Sequence, residues 1–159
     1  MNKRNILFLS GGLVAGILLT MILIVVITPG LMMVEHTSPY DFETAVQKFE
    51  ASVKTEGWSL PHVHDLQKSM KKFGKDVLKV KVFELCHPDH ASKILERDDE
   101  RIVSSLMPCR VAIYERSDGK VYVSNMNTSL MSKMMGGIVP EVMAEASRDS
   151  DKIVEAVIK

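Results

Sequence analysis

The chain has 159 residues, with 20 basic and 20 acidic side chains. Balanced charge and the lack of any like-charge block argue against a nucleic-acid partner, which needs a basic patch or stripe. Two features stand out: 11 methionines and one strongly segregated apolar run near the N-terminus.

That run, Ile6 to Ile27, reads ILFLSGGLVAGILLTMILIVVI and carries no charge. At about 1.5 Å per helical residue it reaches roughly 33 Å, the thickness of a bilayer core. Lys3 and Arg4 precede it, and the first charges after it are Glu35, Asp41 and Glu43. The positive-inside rule then predicts a cytoplasmic N-terminus and an outward-facing remainder, periplasmic or at the cell surface. A cleaved signal peptide would have a shorter apolar core and a small-x-small site. Here the run ends in ITPGLMM, so an uncleaved single-pass anchor is the expectation. Gly12 and Gly16 form a GxxxG, a spacing that lets membrane helices approach closely.

The predicted organisation is a cytoplasmic tip and anchor over 1–30 and an outward domain over 31–159. Pro29 and Gly30 are expected to end the anchor. A short strand follows at Leu31–His36. Ser38, Pro39 and Asp41 start a helix with Phe42, Val46, Phe49 and Val53 on one stripe, closed by Gly57. Trp58–Val63 reads as a short extended piece. Asp65 caps a helix over Leu66–Phe73, which Gly74 ends. Val77–Cys86 is a strand, and Pro88 sits where a first helical residue belongs, which predicts a helix over Asp89–Arg97. After a polar stretch, Cys109–Arg116 and Lys120–Asn125 pair as a hairpin through Asp118-Gly119. Helices over Ser129–Met135 and Val139–Ala146, and one capped by Ser150, complete the chain. The fold class is α+β: an antiparallel sheet of about four strands with helices on one face, behind one transmembrane helix.

Candidate chemistry gathers at VFELCHPDHASKIL, residues 82–95. Alternation assigns Leu78, Val80, Val82, Glu84 and Cys86 to one face of their strand, predicted as the buried one because Lys79 and Lys81 take the other. Cys109, Val111 and Ile113 share a face of the hairpin. If the two strands are antiparallel neighbours, both thiols lie at one end of the sheet. Three readings stay open for them. They are two small buried residues; a disulfide or thiol redox pair, as an oxidising compartment permits; or a metal or cofactor site. In the last, Glu84, His87 or His90 supplement Cys86 and Cys109, a donor set that suits zinc, copper(I) or a haem iron.

His62 and His64 fall on one side of an extended segment and read as a surface pair. Trp58 reads as core or interface packing. The late methionines, Met126, Met131, Met134, Met135 and Met143, read as a flexible apolar face, with a thioether site for copper(I) as the sharper alternative. GxSxG, HExxH, P-loop and GxGxxG signatures are missing, so the domain is expected not to be an enzyme.

ELCHPDHASKIL, followed by LMPCRVAIYE and GKVYVSNMN, resembles the domain-of-unknown-function 302 family. Its members show a Cys-x-Pro-x-x-Ala turn, a Pro-Cys strand start and a short strand ending near Asn or Asp. Cys86, Pro88, Ala91, Pro108 and Cys109 match that pattern, and the resemblance covers Thr37 to Ile158. It implies a small α+β domain that forms dimers and carries no agreed activity, so no catalytic residue is carried over. His87 and His90 occupy unspecified motif positions, whereas both cysteines belong to the motif. The expectation is a membrane-anchored extracytoplasmic binding module for an unidentified ligand. The alternative is a tethered homodimer without cofactor.

Overall fold

The computed structural model describes residues 3–159; Met1 and Asn2 of the predicted cytoplasmic tip lie outside them. The chain divides into two compact units, Met1–Met32 and Met33–Lys159. The first is helix α1 (Lys3–Met32). Its Gly11–Thr28 stretch is long and apolar enough to cross a membrane. Contrary to the expectation from Pro29 and Gly30, the helix continues to Met32. A Cβ added at Gly12 or Gly16 would meet nothing within 4 Å, so neither glycine serves packing within its own unit.

The second unit is an α+β domain built on one antiparallel sheet of β1 (Met33–Ser38), β2 (Ser59–Asp65), β3 (Val80–Cys86), β4 (Cys109–Glu115) and β5 (Val121–Met126), in the order β1-β5-β4-β3-β2. There are five strands, not about four. The extended piece after Trp58 is β2, an edge strand whose register shifts between Ser59 and His62, where Pro61 has no N–H to give the ladder.

Helix α2 (Phe42–Thr55) starts at Asp41, whose carboxylate accepts from the Thr44 N–H at 3.0 Å and the Thr44 hydroxyl at 2.7 Å. Its stripe of Phe42, Ala45, Val46, Phe49 and Val53 is buried. Helix α3 (Leu66–Lys71) is short and capped by Asp65. Helix α4 (Pro88–Leu95) begins at Pro88, as its fixed φ suits. A 3₁₀ stretch, Asp98–Leu106, replaces the predicted polar loop. Helix α5 (Thr128–Ser132) stops short of the predicted Met135, and Met134 is 88 % exposed. The two predicted C-terminal helices are one, α6 (Val139–Ile158). Ser150 lies inside it, buried, because Ala146, Ser150, Ile153, Val154 and Val157 form one inward stripe at i, i+4, i+7, i+8, i+11.

Helices α2 and α6 share one core with the sheet residues Phe83, Leu85, Val111, Ile113, Val121 and Val123. Phe49 and Phe83 meet with ring centroids 4.9 Å apart. Ser38 ties β1 to α6 by donating its hydroxyl to the Val157 carbonyl at 2.6 Å.

The buried face of β3 is the reverse of the predicted one. Phe83 and Leu85 are 0 % and 1 % exposed, whereas Val80, Val82, Glu84 and Cys86 are all half-buried. Lysine is a poor marker of the solvent face here. The Lys79 and Lys81 ammonium groups lie 5.4 Å and 5.9 Å from the centroid of Phe42, so apolar stems run over the core edge while the charged heads stay wet. Phe83→Ala is expected to cost about 3–5 kcal/mol and Val82→Ala about 1 kcal/mol or less. Urea unfolding of the two variants checks this; the opposite ranking would return the buried face to the valines.

Candidate functional site

The β3–β4 pairing positions the thiols. Its register sets Phe83 opposite Val111 and Leu85 opposite Cys109, so Cys109 shares the helix-covered face with the core. Cys86 closes β3 one residue later. Both are free and half-buried, and no disulfide joins them. The chain then turns through His87, which has extended dihedrals, into the Pro88 helix start. That turn brings Cys86, His87 and His90 to the wall of one cavity of about 30 Å³, together with Cys109 and Trp58.

The three rings pack on one another. Trp58 lies 5.5 Å from His87 and 5.9 Å from His90, and the two imidazoles are 4.7 Å apart, centroid to centroid. Each has a buried nitrogen without a hydrogen-bond partner: Trp58 Nε1, His87 Nδ1 and His90 Nδ1. Buried polar atoms are nearly always paired, so three such atoms on side chains that line one apolar cavity are a departure that points to an unmet polar demand there. His90 is oriented from α6: its Nε2 lies 3.2 Å from Asp149 Oδ2. With Nε2–H donating to that carboxylate, a neutral His90 keeps the Nδ1 lone pair free. The nearest carboxylate to Nδ1, Glu145 Oε2 at 3.8 Å, already accepts from Lys93 Nζ at 2.8 Å.

Electrostatics follow from burial. Desolvation raises the Cys109 thiol above its ordinary 9.0, and the neighbouring Cys86 adds to the rise, which keeps Cys109 protonated at neutral pH. Hydrogen bonds from Lys152 and His90 lower Asp149. Glu84, expected near the thiols, does not line this cavity. Its carboxylate lies 3.0 Å from His64 Nε2 and 3.5 Å from Arg110 Nη2, and the His64 hydrogen bond is the main cause of its lowered pKa. His62 and His64 stack at 4.4 Å beside it.

A second cavity of about 30 Å³ adjoins the same thiol. Cys109, Met107, Met126, Met131, Met135 and Met143 line it, and Met107, Cys109 and Met143 wall both cavities. Volumes of this size hold one ion or water-sized group and fall far short of the several hundred Å³ of an organic cofactor site, so haem does not fit here. Among the described residues, no group of three or more His, Cys, Asp or Glu side chains is placed to hold a metal ion. The sequence pattern missed Trp58, Met107 and Asp149 as members of the site, and offered Met143 only within the thioether alternative. Only Met107, directly before Pro108-Cys109, carried a local cue.

Residues 34–157 match the family model described as a domain of unknown function, DUF302. The chain belongs to the DUF302 family. No functionally curated protein matches it. The crystal structure of an uncharacterized conserved DUF302 protein from Bacillus stearothermophilus is similar, with a TM-score of 0.71 and 16 % identity over 80 % of this chain and 98 % of that one. At that identity the likeness concerns the fold, and it covers almost nothing but the DUF302 domain. The two cysteine positions of the resemblance thus sit in the DUF302 domain at the β3 end and the β4 start.

The raised Cys109 pKa has a definite consequence. The folded state holds a proton that the unfolded chain gives up, so this contribution is complete below about pH 9 and lost as pH rises through the folded value. Cys109→Ala is expected to flatten the alkaline limb of a Tm-against-pH curve. An unchanged limb would mean that another group controls it.

Proposed function

We propose that this DUF302 protein is a single-pass membrane protein, N-terminus inside, whose outward domain binds a small ligand where Cys86, Cys109, His87 and His90 meet. The observation that carries this reading is that three side chains with unpartnered buried ring nitrogens line the one cavity that both thiols share. Asp149 supports it further. A carboxylate that takes the outer N–H of an imidazole is the usual companion of a ligating histidine, and Asp149 stands in that relation to His90.

A tethered homodimer is the second reading. It is favoured by the sheet face turned away from α2 and α6, where Val80, Val82, Ala112 and Tyr114 are each only half-buried, and by the open surface at Gly12 and Gly16.

The full chain, purified in detergent, tests the first reading by thermal shift with Cu(I) and Zn(II) in turn, beside a Cys86→Ser, Cys109→Ser double variant. Stabilisation of about 2.7 kcal/mol is expected at a free ligand concentration 100 times Kd, absent from the double variant. No shift with either ion, or equal shifts in both proteins, would remove the support for this site. Sedimentation of the same samples reads the second reading, which needs a dimer that Val82→Glu dissociates.

A further inference from the structure

The methionines are the feature that the reading above leaves unused. Five of them meet Cys109 around one cavity, and they arrive from separate places: Met107 after the 3₁₀ stretch, Met126 at the end of β5, Met131 in α5, Met135 beyond it, and Met143 in α6. All are half-buried. Methionine is the most adaptable gap-filler among core side chains, so a void enclosed by five of them is not explained by packing alone. Three sulfur residues, Met107, Cys109 and Met143, form the wall common to this cavity and the imidazole-lined one.

We propose that this shared wall is a binding site for a single Cu(I) ion, held by the Cys109 thiolate and the Met107 and Met143 thioethers. The inference rests on the binding-module reading for its use of Cys109, and places a sulfur-held ion beside the ring nitrogens rather than on them. Charge decides the metal. One thiolate and one monovalent ion make a neutral unit, which an apolar cavity accepts without the penalty of a buried net charge. Thioethers add donors without adding charge and need no deprotonation, and soft sulfur ligands select Cu(I) over harder ions. Zinc takes four nitrogen, oxygen or thiolate ligands in a closed tetrahedral site, and among the described residues no three His, Cys, Asp or Glu side chains have the geometry to hold a metal ion. Binding moves one proton: the Cys109 thiol loses it to solvent as the Cu–S bond forms. Met126, Met131 and Met135 enclose the ion on one side, and Trp58 and His90 lie on the other.

The test uses the full chain in detergent under anaerobic conditions, with Cu(I) supplied from its coloured bicinchoninate complex. Transfer is read by loss of the colour, and the coordination shell by copper X-ray absorption. One Cu(I) per chain and a sulfur-only shell are expected. Leucine is close to methionine in volume, so a Met107→Leu, Met143→Leu double variant should keep its circular dichroism spectrum. It should bind Cu(I) at least about 10-fold more weakly, the lower bound being the loss seen when an outer-shell partner alone is removed. Cys109→Ser should abolish binding. Cys86→Ser should leave it unchanged. Nitrogen in the shell, or binding that survives Met→Leu replacement and fails with Cys86→Ser or His90→Ala, would overturn this assignment while leaving the binding-module reading in place. No Cu(I) transfer together with a cysteine-dependent Zn(II) thermal shift would do the same. No response to either ion would overturn both.

Discussion

The pairing of β3 with β4 is the constraint on which the rest depends. Setting Phe83 against Val111 and Leu85 against Cys109 builds the centre of the core and carries the second thiol to the end of the first strand. A slip of β3 by one residue would turn Phe83 and Leu85 to the uncovered face and break their pairing with Val111 and Cys109. The core residues therefore hold the site in register, although none of them needs to touch a ligand. Pro88 adds the second element of the geometry. It starts α4 as soon as β3 stops, so His87 and His90 turn over the strand end where Trp58 meets them.

The resulting site combines strong packing with unmet polar demand. A buried donor or acceptor left unpaired costs about 1–3 kcal/mol, and three of them share this cavity. Against a total stability of about 5–15 kcal/mol for a typical domain, that is a substantial debit for a structure to carry at one spot. An occupant that satisfies those atoms offsets it. The asymmetry between the two neighbouring cavities is equally informative. One is lined by the imidazole and indole side chains and two cysteines, the other by methionines, and Cys109 belongs to both. Its burial and raised pKa make it a quiet thiol until something displaces the proton.

Much of the local structure was legible in the residues. Asp118-Gly119 closes the hairpin as its composition implies: Asp118 Oδ1 accepts from the Lys120 N–H at 3.0 Å, and Gly119 takes a φ of +76°. Asp41 and Asp65 cap the helices that follow them. The antiparallel β3–β4 pairing meets the condition under which both thiols lie at one end of the sheet, and the α2 stripe also followed from spacing. The face of β3 did not, because both sets of alternating residues are apolar and only the packing of Phe49 on Phe83 decides between them. Strand β2 was hidden by Pro61, and the continuity of α6 by the polar run over 147–151, in which the inward Ser150 reads as a cap. The ring cluster, and the meeting of the late methionines with Met107 and Cys109, were illegible for a simpler reason. Their members come from α4, β4, β5, α5, α6 and the loops beside them, and only the tertiary fold brings them together.

The central claim is that Cys86 and Cys109 face one shared cavity as reduced thiols. Dibromobimane reads this directly, since it becomes strongly fluorescent only when both of its arms react. Reaction of the folded full chain in detergent, followed by intact-mass analysis, should give one intramolecular bridge and bright fluorescence, with neither in Cys86→Ser or Cys109→Ser. Two separate single-arm adducts without fluorescence would contradict the account, because the thiols would then be too far apart to share a site.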